Sequence, residues 1–217
     1  MGDVIRLSER REALRRRTEG TRRERSRAQF FFDLSCPFTY LVAERVERAF
    51  DEVSWTPACA TALRRSCLAS DTVGAAAVRR AAEERAAALR LPLVWPERFP
   101  TEVSAAMRVA ARAQAAGRGA AFVLAATRLA FCGGFDLEDP EILAEAAAAA
   151  GVVLDECLHA ARDEGLDGES EGAGRLLLSV GADRLPALRV GRALDWGERR
   201  VGDALTAART ARVAAVH

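Results

Sequence analysis

The residue types able to do chemistry concentrate in Ser35-Cys36-Pro37-Phe38-Thr39. Pro37 suits the first position of a helix, because its φ is preset and its missing N–H would find no partner there. Cys36 therefore falls at a helix N-terminus, where free backbone N–H groups and the helix dipole favour a thiolate over a thiol. The competing reading is a small buried hydrophobe, the usual fate of a free cysteine. Thr39 lies one turn on, where its hydroxyl either hydrogen-bonds the Cys36 sulfur or closes onto the preceding helical turn. The other four cysteines (Cys59, Cys67, Cys132 and Cys157) read as core or helix-face residues. None of the five forms a C-x-x-C pair, and with two histidines in the chain a metal site is not expected.

The elements that must position Cys36 follow from periodicity. Phe30-Phe31-Phe32-Asp33-Leu34 is bulky and lacks helical spacing, so it predicts a short buried strand. From Pro37, the apolar residues Phe38, Leu41, Val42, Val46, Ala49 and Phe50 repeat at helical intervals. Glu44, Glu47, Arg48 and Asp51 take the opposite face, with Glu44 four residues before Arg48. Val53 to Pro57 alternates as a second strand, giving a right-handed parallel βαβ unit. A long helical region follows. Asp71 or Thr72 caps a helix running to Arg90. Thr101 or Ser104 caps one that ends by Gly117, and Ala120 to Phe131 forms another. Asp139-Pro140 opens a helix that ends at Gly151, Asp155 begins one closed by Gly165, and a last spans about Glu169 to Val180. The period then changes. Ala187–Val190 and Ala193–Trp196 form a hairpin across Gly191-Arg192, and an amphipathic helix from about Gly197 to Ala211 completes the chain.

That order, with a cysteine opening the first helix, resembles the thioredoxin fold of the DsbA family. Within it, the chain is similar to the branch of 2-hydroxychromene-2-carboxylate isomerases and kappa-class glutathione transferases. Phe32-Asp33-Leu34-Ser35-Cys36-Pro37-Phe38-Thr39-Tyr40-Leu41 is similar to that branch's DFxSPYSYL. Further matches are Leu91-Pro92-Leu93, Trp95-Pro96 with Pro100, Asp139-Pro140, and Leu185-Pro186 followed by a hairpin and Trp196-Gly197. The resemblance implies an α/β thioredoxin fold (β-α-β … β-β-α) with a large all-helical insertion. Residues 28–60 and 183–217 would form the thioredoxin-like domain, 61–182 the insertion, and 1–27 an Arg-rich arm. It assigns catalysis to Cys36 and Thr39, and thiol binding to Ser35, Pro37, Phe38, Leu185, Pro186, Trp196 and Glu198. Pro186 resembles the cis-proline that faces the nucleophile in this fold. There are departures. The branch usually has serine at Cys36, and the second cysteine of DsbA is Thr39, so C-P-F-T cannot close an internal disulfide. Arg184-Leu185 replaces a glycine-valine, Ala187 replaces a threonine, and the acid after Trp-Gly is Arg199, with Glu198 adjacent.

Composition bounds the alternatives. At 217 residues the chain can bury roughly 70% of its unfolded surface. All 32 basic residues are arginine, yet the net charge of +1 argues against a globally basic nucleic-acid binder. Residues 1–27 hold ten arginines among five acids; they read as a solvated arm, with contact to nucleic acid or an acidic partner as the alternative. No apolar run approaches the ~20 residues of a membrane span, and a secretory leader is not evident, so a cytoplasmic location with reduced cysteines is expected. Three function classes stay open. They are mixed-disulfide chemistry at Cys36, a glutathione-type thiol-dependent isomerase or transferase, and a catalytically degenerate binding scaffold. The implied cofactor is glutathione or another low-molecular-weight thiol, and the implied partner a small thiol or a thiol-containing protein. A homodimer is left open.

Overall fold

A computed structural model describes residues 27–63 and 72–214. The Arg-rich segment up to Ser26, Cys67 and the Asp71 cap lie outside the described residues. The first strand, β1 (Arg27–Phe32), begins earlier and ends sooner than its sequence predicts. Asp33 leaves the ladder because its carboxylate accepts from the Ser35 backbone N–H two residues on, the Asx-turn habit of aspartate. Helix α1 (Pro37–Ala49) and strand β2 (Glu52–Pro57) follow. Helices α2 (Thr72–Leu89), α3 (Ser104–Ala115), α4 (Gly119–Phe131), α5 (Pro140–Ala149), α6 (Leu154–Arg162) and α7 (Asp167–Ser179) fill the middle of the chain. Strands β3 (Ala187–Val190) and β4 (Ala193–Trp196) and helix α8 (Glu198–Ala214) close it.

The strands form one four-stranded sheet in the order β2-β1-β3-β4. β1 runs parallel to β2 with Phe30 opposite Trp55, and antiparallel to β3 with Phe31 opposite Ala187. β3 pairs antiparallel with β4 across a turn in which Gly191 takes φ 58°, a left-handed conformation costly for residues with a Cβ. This is the expected thioredoxin arrangement, with strand, crossover helix, strand, then hairpin and helix.

Capping was only partly legible. The Asp139 carboxylate accepts from Glu141 N at 2.8 Å, with Pro140 at the first helical position, as Asp139-Pro140 predicts. Neither Thr101 nor Ser104 caps α3. Val103 occupies the N-cap without a side-chain bond, and the Ser104 hydroxyl turns to Glu102. Asp155 likewise lies inside α6, whose N-cap is Val153. At α3 the apolar N-cap Val103 is itself buried, and its packing offsets a cap bond of about 1 kcal/mol; Val153 is exposed, and nothing in the structure explains its place at the N-cap of α6.

Alternation along β1 divides the interior. Phe30 and Phe32 point to one face, where they join Trp55, Leu188, Val42 and Val46 of α1, and Val201 and Leu205 of α8. Val109 of α3 and Phe122, Val123 and Phe131 of α4 belong to that same core, so the middle helices and the sheet share one apolar interior. Phe30 and Trp55 meet edge to face, with centroids 5.1 Å apart. Phe31 points the other way, into a smaller cluster with Cys36, Ala58, Ala60, Leu63, Leu177, Ala182, Leu185 and Ala187. No described helix is long and apolar enough to cross a membrane.

Leu188 is fully buried between these elements. Leu188→Ala is expected to destabilise the fold by about 2–5 kcal/mol in urea unfolding. Val153→Ala, at an exposed position, should stay within about 0.5 kcal/mol. Equal effects would mean that the sheet face is not the core.

Candidate functional site

The site is built on the turn between β1 and α1. Asp33 is 4% exposed, and three donors converge on its carboxylate. The Ser35 N–H reaches Oδ1 at 2.9 Å and the Ser35 hydroxyl the same oxygen at 2.5 Å. The Ala60 N–H, from the segment after β2, reaches Oδ2 at 2.9 Å. The Asp33 carbonyl in turn accepts from Cys36 N at 3.1 Å. One buried carboxylate thus holds the strand-to-helix turn and the exit of β2 together. Burial pushes the Asp33 carboxyl above its ordinary value, against the downward pull of the Ser35 and Ala60 bonds.

Cys36 is the N-cap of α1, with extended backbone (φ −87°, ψ 113°), and Pro37 follows at the first helical position. Its thiol is 0% exposed and lies 3.9 Å from the carbonyl oxygen of Leu185, close to the limit for a weak sulfur hydrogen bond. The next peptide, Leu185–Pro186, is cis, as the resemblance implies for Pro186. The Pro186 carbonyl accepts from Gly197 N at 2.8 Å, tying this loop to the start of α8. Thr39 makes neither of the two bonds its sequence position allows. It is fully buried, and its hydroxyl oxygen has no hydrogen-bond partner among the described residues.

Of the other residues assigned to thiol binding, Phe38, Leu185 and Trp196 belong to the same apolar cluster as Cys36. Ser35 serves the Asp33 turn, and Pro37 and Pro186 are buried. Glu198 is 6% exposed, and Arg85 of α2 grips its carboxylate through two bonds of 2.6 and 2.7 Å. That fork pins α2 to the first turn of α8. Tyr40 belongs to the opposite core, donating to the Pro92 carbonyl at 2.8 Å. Burial, with Cys132 beside it, pushes its phenol up to about 12.

Helix α7 lies over the Cys36 cluster and contributes Ala173, Leu177 and Leu178. Its close approach depends on Gly174, where a Cβ would stand 2.7 Å from the Cys59 carbonyl oxygen and 2.8 Å from the Ala62 Cβ. The remaining described cysteines sit elsewhere. Cys59 is half-buried, with its sulfur 2.9 Å from the Thr61 hydroxyl, and Cys132 is exposed. Cys157 is buried in the larger core, which pushes its thiol up. All four described cysteines are free, and no other described cysteine joins the Cys36 cluster. No metal-ligating cluster occurs among the described residues.

Sequence reasoning missed Asp33 as the organiser of the turn and Arg85 as the partner of Glu198. The spacing Asp33-Leu34-Ser35 carries an Asx-turn signal that could have revealed the first. The second joins residues 113 positions apart and leaves no local trace.

Residues 28–206 match the family model of the DSBA-like thioredoxin domain. Among solved structures, a 2-hydroxychromene-2-carboxylate isomerase superposes with a TM-score of 0.70 at 16% identity, covering 87% of this chain and 98% of its own. A probable DsbA oxidoreductase from Streptomyces coelicolor gives 0.64 at 22% identity, covering 85% and 90%. The cytosolic disulfide reductase DsbM from Pseudomonas aeruginosa, solved with GSH, gives 0.61 at 19%, covering 86% and 98%. At these identities the likeness concerns the fold. No curated protein matches the sequence.

A carboxyl whose folded value lies above its unfolded one contributes most stability when protonated, and that contribution is lost as pH rises through the folded value. The stability advantage of wild type over Asp33→Asn should therefore narrow as pH rises above the ordinary carboxylate value of about 4 in urea titrations; an advantage that widens would show that the three donors outweigh burial. Gly174→Ala should force α7 off the Cys59–Ala62 turn, costing about 1–3 kcal/mol and raising the iodoacetamide labelling rate of Cys36 severalfold. An unchanged labelling rate would show that α7 does not guard the thiol.

Proposed function

The chain belongs to the DSBA-like thioredoxin domain family, and from that premise we propose that it is a thiol enzyme acting by mixed-disulfide exchange at Cys36. The observation that carries this reading is the convergence on one sulfur of a helix N-cap, Pro37, and the Leu185 carbonyl beside the cis Leu185–Pro186 peptide. In the first step the Cys36 thiolate attacks one sulfur of a disulfide R–S–S–R′. A Cys36–S–S–R bond forms, the S–S bond of the substrate breaks, and R′S⁻ leaves to take a proton from water. In the second, the thiolate of another R–SH attacks the R sulfur of the adduct, releasing R–S–S–R and restoring Cys36. Electrons balance without a second cysteine, which suits Thr39 in the place of a resolving thiol.

Because Cys36 is fully buried, exchange requires Phe38, Trp196 or α7 to yield, an opening smaller than unfolding. In this reading the protein is cytoplasmic and its partner is a low-molecular-weight thiol such as glutathione. The four described cysteines, all free, accord with a reducing compartment.

One observation favours a second reading, a thiol-dependent isomerase or transferase. The Thr39 hydroxyl is a buried donor without a partner among the described residues. Buried polar groups are seldom left so, and a cofactor sulfur near Cys36 is a suitable acceptor. Under this reading Thr39 polarises the bound thiol, and Cys36 does not become covalently modified.

The test treats reduced protein with oxidised glutathione and maps adducts by mass. A reversible adduct at Cys36, absent from Cys36→Ser of unchanged circular dichroism, is the expected result. Adducts confined to Cys59 or Cys132 would overturn the exchange reading. Saturable binding of reduced glutathione without any adduct would establish the second one.

A further inference from the structure

Two groups beside the Cys36 sulfur are poorly matched to a thiol. The Thr39 hydroxyl is fully buried and bonds nothing among the described residues. Cys36 is the N-cap of α1 and Thr39 its third helical position. Side chains at those two positions face one another, as the reciprocal bonds of a capping box show. The Leu185 carbonyl oxygen stands 3.9 Å from the sulfur, at the outer limit for a bond from a thiol. Both groups suit an oxygen atom bound to that sulfur. The Thr39 hydroxyl would donate to it, and its own O–H would meet the Leu185 carbonyl over an ordinary span of about 2.7 Å.

We propose that Cys36 also reduces hydrogen peroxide and other small hydroperoxides, through a sulfenic acid held between Thr39 and Leu185. The Cys36 thiolate attacks one peroxide oxygen. An S–O bond forms, the O–O bond breaks, and hydroxide or alkoxide leaves to take a proton from water. The sulfur is oxidised to Cys36–S–OH and the peroxide is reduced. A low-molecular-weight thiolate R–S⁻ then attacks the Cys36 sulfur, forming Cys36–S–S–R and expelling hydroxide. A second R–S⁻ releases R–S–S–R and restores the Cys36 thiolate. That return half is the exchange chemistry proposed above, on which the inference rests. Burial sets the size of the oxidant. The sulfur lies fully buried in a cluster with Phe38, Trp196 and Leu177 of α7, so a molecule of a few atoms needs a smaller opening than a disulfide does. No other described cysteine joins the cluster to capture the sulfenic acid internally. The apolar cover also slows a second peroxide, which would carry the sulfur on to sulfinic acid.

The test treats reduced protein with hydrogen peroxide, traps sulfenic acid with dimedone and maps the adduct by mass. The oxidation rate is divided by the iodoacetamide rate at Cys36, which removes differences in opening and thiolate fraction. A dimedone adduct at Cys36 is expected, with a preference for hydrogen peroxide over cumene hydroperoxide greater than that of free cysteine. Thr39→Val, which keeps the shape and loses the donor, should lower the rate ratio about tenfold or more. Thr39→Ser should retain most of it. A side chain that only packs would move both rates together and leave the ratio unchanged. Absence of a dimedone adduct at Cys36, a size preference no greater than that of free cysteine, or a ratio that Thr39→Val leaves unchanged overturns the inference. A Cys36 adduct with oxidised glutathione then leaves the exchange reading standing, whereas no adduct at Cys36 with either reagent overturns both.

Discussion

The structure around Cys36 depends on a carboxylate buried where water cannot reach it. Placing Asp33 inside the fold is costly unless its oxygens are met by donors. Three donors meet them, two from Ser35 and one from Ala60. Because these donors come from either side of the β1–β2 edge, satisfying the charge fixes two loops at once. The Cys36 backbone then bonds back to the Asp33 carbonyl, so the N-cap cannot shift without exposing or orphaning the carboxylate. The thiol's position is thus inherited from an electrostatic demand three residues earlier.

The same alternation that builds the core explains why so little polar surface surrounds the thiol. Along β1, the odd member Phe31 opens a second, smaller interior in which Cys36 is the polarisable centre. The cover comes from the far end of the chain, from α7 and the 182–187 segment, while the Arg85–Glu198 fork anchors α8 against α2 behind it. On the mixed-disulfide reading, a substrate has to displace these apolar side chains while the hydrogen-bonded Asp33 turn stays in place, a division that lets a site open without losing its geometry.

Much of this was legible in the sequence because it is local. Helical spacing after Pro37, the alternation of Val53 to Pro57, the Gly191-Arg192 turn and the Asp139-Pro140 cap are each decided by residues within a few positions of one another. What escaped was decided at a distance. The buried valine N-cap of α3 replaces the polar cap that local rules prefer, since its packing overrides a single bond. The complete burial of Cys36 could not be read because Leu177 and Leu185 lie more than a hundred residues away. The resemblance assigns Glu198, beside Trp196-Gly197, to thiol binding, and nothing local announces the Arg85 that pairs with it. Thr39 offers two local partners in the sequence, yet among the described residues its buried hydroxyl bonds neither.

Mixed-disulfide chemistry at a buried sulfur requires that Cys36 react from the folded state, through a local opening of its apolar cover. The rate of disulfide exchange at Cys36, followed as urea is raised below the unfolding midpoint, measures that opening. Local opening exposes little surface, so the logarithm of the rate should rise with a slope well under the equilibrium m-value. A slope equal to that m-value would show that the sulfur reacts only when the whole chain unfolds. Cys36 would then be a core residue and not the nucleophile of a thiol enzyme.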